Sequence, residues 1–207
     1  MRFSFILLAG GNSARFKSDV PKQYHKIAEK TLIDISINKI RRFKEIIKIV
    51  VVFNKQHKKY LEESDLKNIK LISGGNSRNQ STYKALNYLM KQKNINKVLI
   101  HDAARPNFSK ELISKILINS KKNKIVIPII KLQDALKKKQ GKKVILNLNR
   151  NNFFSTQTPQ CFNLLEIFKL HKNNINKYKD DDLSLVDDNK FKLIIEDSST
   201  IITSGFF

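Results

Sequence analysis

The sequence has no tryptophan, a single cysteine, four prolines and six glycines in 207 residues, and only 18 acidic side chains against 40 basic ones. One cysteine, Cys161, excludes an internal disulfide framework and any multi-cysteine metal site. No apolar run approaches the roughly 18–20 residues that span a bilayer, which argues against a membrane helix. The opening stretch Phe3–Ala9 runs straight into glycines and lacks the length and small-residue cleavage pattern of a secretory signal. A soluble, cytoplasmic protein of a reducing compartment is expected. The few prolines and glycines form no linker, and no internal repeat is present. With 41% hydrophobic and 28% charged residues the composition is ordinary for a globular chain. The length suits one large domain, and an α/β domain of that size buries an extensive core.

The formal charge of +22 raises the question of a polyanion partner. Of the 40 basic residues 33 are lysine, and asparagine and isoleucine are also abundant, a trio that an AT-rich coding sequence imposes. The lysines are scattered along the chain and form no stripe. They read as solvated surface charge, with no specific nucleic-acid partner, in a field that also favours a phosphate-rich small substrate.

Two kinds of segment alternate. Phe3–Ala9, Ile46–Phe53, Ile69–Ile72, Val98–His101 and Ile125–Ile130 are short, β-branched and largely apolar, as strands buried on both faces are. Helical spacing recurs over Leu32–Phe43, over Ser81–Met90 (Tyr83, Leu86, Met90) and around Leu112, Ile116 and Ile118. Strands alternating with helices predict βαβ units and a Rossmann-like, doubly wound, mainly parallel sheet. The rhythm breaks after Ile130. Residues 134–156 read as a protruding β-arm with a lysine-rich turn around Gly141, and Phe191–Ile195 is one more strand. The expectation is one domain over residues 1–207 carrying an arm suited to a homodimer.

In such sheets ligands bind beyond the carboxyl ends of the strands. Directly after the first strand come Ala9-Gly10-Gly11-Asn12-Ser13-Ala14-Arg15 and then Pro21-Lys22-Gln23. Glycines there let backbone N–H groups wrap a polyphosphate. Arg15 offers a bidentate fork and Lys22 a compact cation. The pattern is neither the Walker loop nor the dinucleotide fingerprint. Gly74-Gly75-Asn76-Ser77-Arg78-Asn79-Gln80-Ser81 is a glycine turn opening a helix, with Ser77 suited to cap it. His101-Asp102-Ala103-Ala104-Arg105-Pro106 ends a strand: Asp102 fits a Mg²⁺ ligand, Arg105 balances phosphate charge, and His101 reads as structural.

These segments resemble a family of nucleotidyltransferases, the 2-C-methyl-D-erythritol 4-phosphate cytidylyltransferases of the non-mevalonate isoprenoid pathway. Three further stretches carry the resemblance: Pro128 to Lys137 around Asp134, Arg150 followed by Thr156-Gln157-Thr158-Pro159-Gln160, and Asp181-Asp182-Leu183-Ser184. The resemblance implies that Ala9, Gly10, Gly11, Arg15, Lys22, Gly75, Arg78, Ser81 and Asp102 hold CTP, with Asp102 on Mg²⁺. It implies that Arg105, Asp134, Arg150 and Thr158 bind the acceptor, a sugar-alcohol phosphate, partly across a dimer built by the arm. Lys131 and Ala135 stand where the family usually has proline and threonine, and Asp180 replaces a threonine before Asp181. The two aspartates there are explained equally well by capping and charge balance.

The likeness fails at the end of the sequence. Thr200 and Ile202 fall where the family has asparagine and a phosphate-binding lysine, and the family's final helix does not follow. An impaired enzyme, another lysine in the same role and a truncated product all accommodate this.

The implied reaction is in-line attack by the acceptor phosphate on the α-phosphorus of CTP with release of pyrophosphate. Arg15 and Lys22 stabilise the transition state, and no protein nucleophile takes part. The alternatives are a sister enzyme acting on ribitol 5-phosphate, a CTP-binding homologue without turnover, and a non-enzymatic nucleic-acid binder. Ala103-Ala104 before Arg105 leans towards the methylerythritol group, because the sister group usually has valine second. Cys161 reads as a small packing residue.

Overall fold

The computed structural model describes residues 1–12, 16, 18–62, 64–176, 181–186 and 191–195. β1 (Phe3–Ala9) leads to the short pair β2 (Lys26–Ile27) and β3 (Lys30–Thr31), then to α1 (Leu32–Ile40) and β4 (Ile46–Phe53). β5 (Ile69–Ser73), α2 (Arg78–Met90), β6 (Lys97–Asp102), α3 (Lys110–Asn119) and β7 (Ile125–Lys131) continue the alternation. The hairpin β8 (Leu136–Gln140) and β9 (Lys143–Leu148) follows, then β10 (Phe154–Thr156), β11 (Gln160–Asn163), α4 (Leu164–Asn173) and β12 (Phe191–Ile195).

Eight strands form one sheet in the order β10-β7-β11-β6-β1-β4-β5, with β12 parallel beside β7. β1 lies between β4 and β6, parallel to both. The chain therefore first winds outward from β1 through β4 and β5 and then resumes on the other side at β6. The reversal point lies at the carboxyl ends of β1 and β6, where Leu8 is in register with Asp102. The sheet is mainly parallel, with β10 and β11 antiparallel to their neighbours.

The period-2 alternation of β1 divides the core. Phe3, Phe5, Leu7 and Ala9 pack with Ile33, Ile37, Ile40, Leu112, Ile113 and Ile116 from α1 and α3. Ile6, with Val50, Val52, Val98 and Ile100, packs on the opposite side with Leu86, Leu89, Leu164 and Ile167 from α2 and α4. Each buried Val, Leu, Ile or Phe among them stabilises the fold by about 1.5–3 kcal/mol. Two apolar layers around one sheet account for strands that are hydrophobic almost throughout.

Several boundaries differ from the sequence reading, for local reasons. α1 stops at Ile40, where Phe43 N–H turns back to the Ile40 carbonyl. Thr31 and Asp34 begin it as a capping box. α2 starts at Arg78, earlier than Ser81, because Ser77 caps it by accepting from Gln80 N–H. In α3 the buried stripe is Leu112, Ile113, Ile116 and Leu117, and Ile118 is 63% exposed. The arm read over 134–156 is narrower: its hairpin is β8–β9, turned at Gly141 with φ +61°, whereas residues 154–156 pair with β7 in the main sheet. β11 and α4 were not anticipated. Cys161 lies fully buried on β11 and accepts from Ser120 Oγ, in keeping with a packing role.

Candidate active site

The carboxyl ends of β1, β4 and β5 and the start of α2 border a cavity of about 860 Å³ lined by Gly10, Asn12, Asn54, Ser73, Gly75 and Lys84 among others. That volume is in the range of small-molecule and cofactor sites. Gly10, which lines the cavity, and Gly11 continue β1. A Cβ on Gly11 would meet no atom within 4 Å, and one on Gly10 nothing nearer than 3.9 Å, so this backbone is open to close approach. Gly75 is different: a Cβ there would lie 2.5 Å from Gln80 Cβ, so packing against the first turn of α2 requires glycine. Ser81 Oγ accepts from Gly75 N–H at 3.0 Å and Gln80 Oε1 from Asn76 N–H at 3.0 Å, which pins the glycine turn to α2.

Lys22 opens a short 3-10 helix, Lys22–Tyr24, and is buried, with its ammonium 5.9 Å from the Phe16 ring centroid. Burial lowers its pKa, and the charge of Arg105 lowers it further. Two cations held close enough to disfavour each other leave a region that an anion would relieve. Arg105 Nε lies 3.3 Å from Asp102 Oδ2, and its Nη1 donates to Gln157 Oε1 at 3.0 Å.

Asp102 is also approached by Arg78 Nη2 at 3.8 Å. Arg78 makes its closer bond, 2.7 Å, to Asp182, which is fully buried. Asp182 in turn faces His171 Nε2 at 3.1 Å, and His171 Nδ1 bonds Asn79 Oδ1. Burial alone would raise the Asp182 pKa, but the Arg78 charge and the bonds from His171 and Arg78 hold it down to about 2. Asp181 caps the next turn, accepting from Ser184 N–H, and receives Thr156 Oγ1 and Gln160 Nε2 at 2.8 and 2.9 Å. The capping reading thus describes Asp181, whereas Asp182 is the buried counter-ion of Arg78.

His101 is wholly buried between Phe5 and Phe108. Its Nε2 faces the Arg105 carbonyl at 2.9 Å, an oxygen that only accepts, so Nε2 carries the hydrogen. Nδ1 therefore accepts from Thr158 Oγ1 at 2.8 Å. Burial, opposed only in part by Asp102, lowers the His101 pKa to about 4, so the ring is neutral. In this arrangement the Thr158 hydroxyl donates to His101 and its oxygen keeps its capacity to accept.

The structure thus gathers Lys22, Arg78, Asp102 and Arg105 at one end of the sheet, beside Ala9, Gly10, Gly11, Gly75 and Ser81. Asp134 and Arg150 are exposed at the base of the arm, where Arg150 Nη1 donates to the Gln133 carbonyl. Among the described residues no hydrogen bond or ion pair joins them to Asp102, Arg105 or Arg78. Arg15, Asp180, Thr200 and Ile202 lie outside the described residues. Sequence reasoning missed the wall formed by Asn54 and Lys84 and the bracing of Arg105 by Gln157. The Gln-Thr-Pro-Gln string pointed to the latter only as a motif.

Asp102 is one-third exposed at its strand end. Among the described residues no three His, Cys, Asp or Glu side chains converge on one point. This donor set fits Mg²⁺, which is commonly held by one carboxylate with substrate phosphates and water.

Residues 3–200 match the family model described as IspD: 2-C-methyl-D-erythritol 4-phosphate cytidylyltransferase. The chain belongs to the IspD family. It is 44% identical over 181 residues to the bifunctional enzyme IspD/IspF of Pelagibacter ubique, a match covering 87% of this chain and 48% of that protein. The 2-C-methyl-D-erythritol 4-phosphate cytidylyltransferase of Clostridioides difficile is 32% identical over 194 residues, covering 89% of this chain and 80% of its own. The crystal structure of the Francisella tularensis IspD superposes with a TM-score of 0.81 at 27% identity, over 100% of this chain and 95% of that one. The chain spans about half the length of the bifunctional IspD/IspF relatives it matches. No helix among the described residues is long and apolar enough to cross a membrane.

Proposed function

We propose that this chain transfers CMP from CTP to 2-C-methyl-D-erythritol 4-phosphate, giving 4-diphosphocytidyl-2-C-methyl-D-erythritol and pyrophosphate in isoprenoid precursor synthesis. Membership of the IspD family supports the reaction. The observation that carries it is the grouping at the carboxyl ends of β1 and β6: Arg105 pairs with Asp102 at 3.3 Å, and buried Lys22, whose pKa the Arg105 charge lowers, adjoins Gln23, which holds the Ala9 and Gly11 carbonyls. Neither a triad nor an activated thiol is required. The acceptor phosphate oxygen attacks the α-phosphorus in line and pyrophosphate leaves. Lys22, with Arg15, neutralises the charge that builds on the α-phosphoryl oxygens, and Arg105 balances the acceptor or leaving phosphate. Asp102 would hold Mg²⁺, which supplies further neutralisation of phosphate charge when bound. Asp134, Arg150 and Thr158 orient the acceptor in this reading. The arm suits a homodimer, and a buried thiol with no disulfide suits a cytoplasmic setting.

The test is Lys22→Ala. Losing a fixed cation of this kind costs about 3–4 kcal/mol of transition-state stabilisation, so turnover falls on the order of 100-fold or more. Circular dichroism should stay native. Near-normal pyrophosphate release from this variant would sink the assignment.

A further inference from the structure

Gln23 sits beside Lys22 and is itself buried, 3% exposed. Its Nε2 donates to the Ala9 carbonyl at 2.7 Å and to the Gly11 carbonyl at 2.9 Å. Both acceptors are carbonyl oxygens, so only the NH₂ end of the amide satisfies them and the side chain has one workable orientation. Tyr24 OH adds a second donor to the Ala9 carbonyl at 3.3 Å. Tyr24 is locked in turn by stacking on Tyr60 and by edge contact with His57. On the other side of the loop, Asn54 Nδ2 donates to Asn12 Oδ1 at 2.9 Å.

We propose that Gln23 is a positioning residue that presets the glycine loop for phosphate. In a trans peptide the N–H points away from the preceding C=O. Holding the carbonyls of Ala9 and Gly11 therefore aims the N–H groups of Gly10 and Asn12 away from Gln23. Gly10 and Asn12 both line the cavity. N–H groups turned to one side of a loop whose Gly10 and Gly11 carry no side chain can form an anion-binding concavity. Because the donors are fixed before the ligand arrives, binding a triphosphate needs no ordering of the loop. Glutamine serves this role through two hydrogens on one nitrogen, which neither glutamate nor methionine provides. The same string therefore has two tasks: Lys22 meets the ligand, and Gln23 holds the backbone that meets it.

This deepens the proposed cytidylyltransferase reading and rests on it. The test is isothermal titration of CTP, CDP, CMP and cytidine into the wild-type chain, Gln23→Met and Tyr24→Phe. Gln23→Met keeps the volume and removes both donated hydrogens. The expected result is a loss that grows with phosphate number: roughly 10- to 100-fold weaker CTP binding, the scale of two lost hydrogen bonds, with cytidine unchanged. Tyr24→Phe, which removes only the longer bond, should shift CTP in the same direction by about threefold and supports the proposal alone if Gln23→Met does not fold. Equal weakening of all four ligands, as a merely structural role predicts, overturns the proposal. Unchanged CTP affinity in both variants overturns it while leaving the cytidylyltransferase reading intact. A wild-type chain that binds none of the four overturns both.

Discussion

His101 makes the fold acid-sensitive in a way that can be measured in isolation. Its ring is fully buried, and its pKa is lowered from the ordinary 6.5 to about 4. The unfolded chain therefore binds this proton more tightly than the folded chain. Stability is complete above pH 6.5 and is lost progressively as pH falls towards 4. At 1.36 kcal/mol for each pKa unit, the whole effect amounts to about 3 kcal/mol, of which about 2 kcal/mol falls between pH 7 and pH 5. His101→Gln cannot take up the proton. It is less stable than the wild type at pH 7, because the Thr158 and Arg105 bonds and the contacts with Phe5 and Phe108 are disturbed. Its deficit should shrink by about 2 kcal/mol between pH 7 and pH 5 in urea unfolding, since the two chains differ only at this position. Parallel stability curves over that interval would refute the buried neutral ring and the hydrogen-bond assignment built on it.

Two further outcomes follow from the charged network. The Lys22 cation should be lost at lower pH than an ordinary lysine, because burial and Arg105 both lower its pKa. Turnover should therefore fall on the alkaline side below the usual lysine range, and the limb should move to higher pH in Lys22→Arg; a pH–rate profile of both chains checks this. Asp182→Asn removes the carboxylate 2.7 Å from Arg78 and leaves a largely buried guanidinium under-compensated, at a cost of about 3 kcal/mol or more. Equilibrium unfolding at pH 7 reads that loss, and a change within 0.5 kcal/mol, roughly the surface-substitution level, would contradict it.

Features that local chemistry controls are legible in the sequence. The runs Phe3–Ala9, Ile46–Phe53 and Phe191–Ile195 are strands with those bounds, because helices cover both faces and the apolar pattern is nearly continuous. The glycine turns after β1 and β5 were visible as motifs, as was the aspartate that closes β6. Partnerships between distant residues were not visible. Arg78 and Asp182 are 104 residues apart, and the motif alone pointed Arg78 at a ligand without its counter-ion. His101 reads as structural from its place at a strand end, and its bond to Thr158, 57 residues away, is not visible in the sequence. β11 escaped notice because its four residues, Gln160–Asn163, carry no periodicity long enough to distinguish from a turn. Ile118 misled for a related reason: it fits helical spacing but falls on the outer side of α3.

The central claim is that the site at the carboxyl ends of β1 and β6 joins CTP to 2-C-methyl-D-erythritol 4-phosphate. Pyrophosphate release should be measured with CTP, Mg²⁺ and that acceptor, with ribitol 5-phosphate as acceptor in parallel. The account predicts turnover with the methylerythritol phosphate alone. Turnover with ribitol 5-phosphate alone, or none with either acceptor, would contradict it.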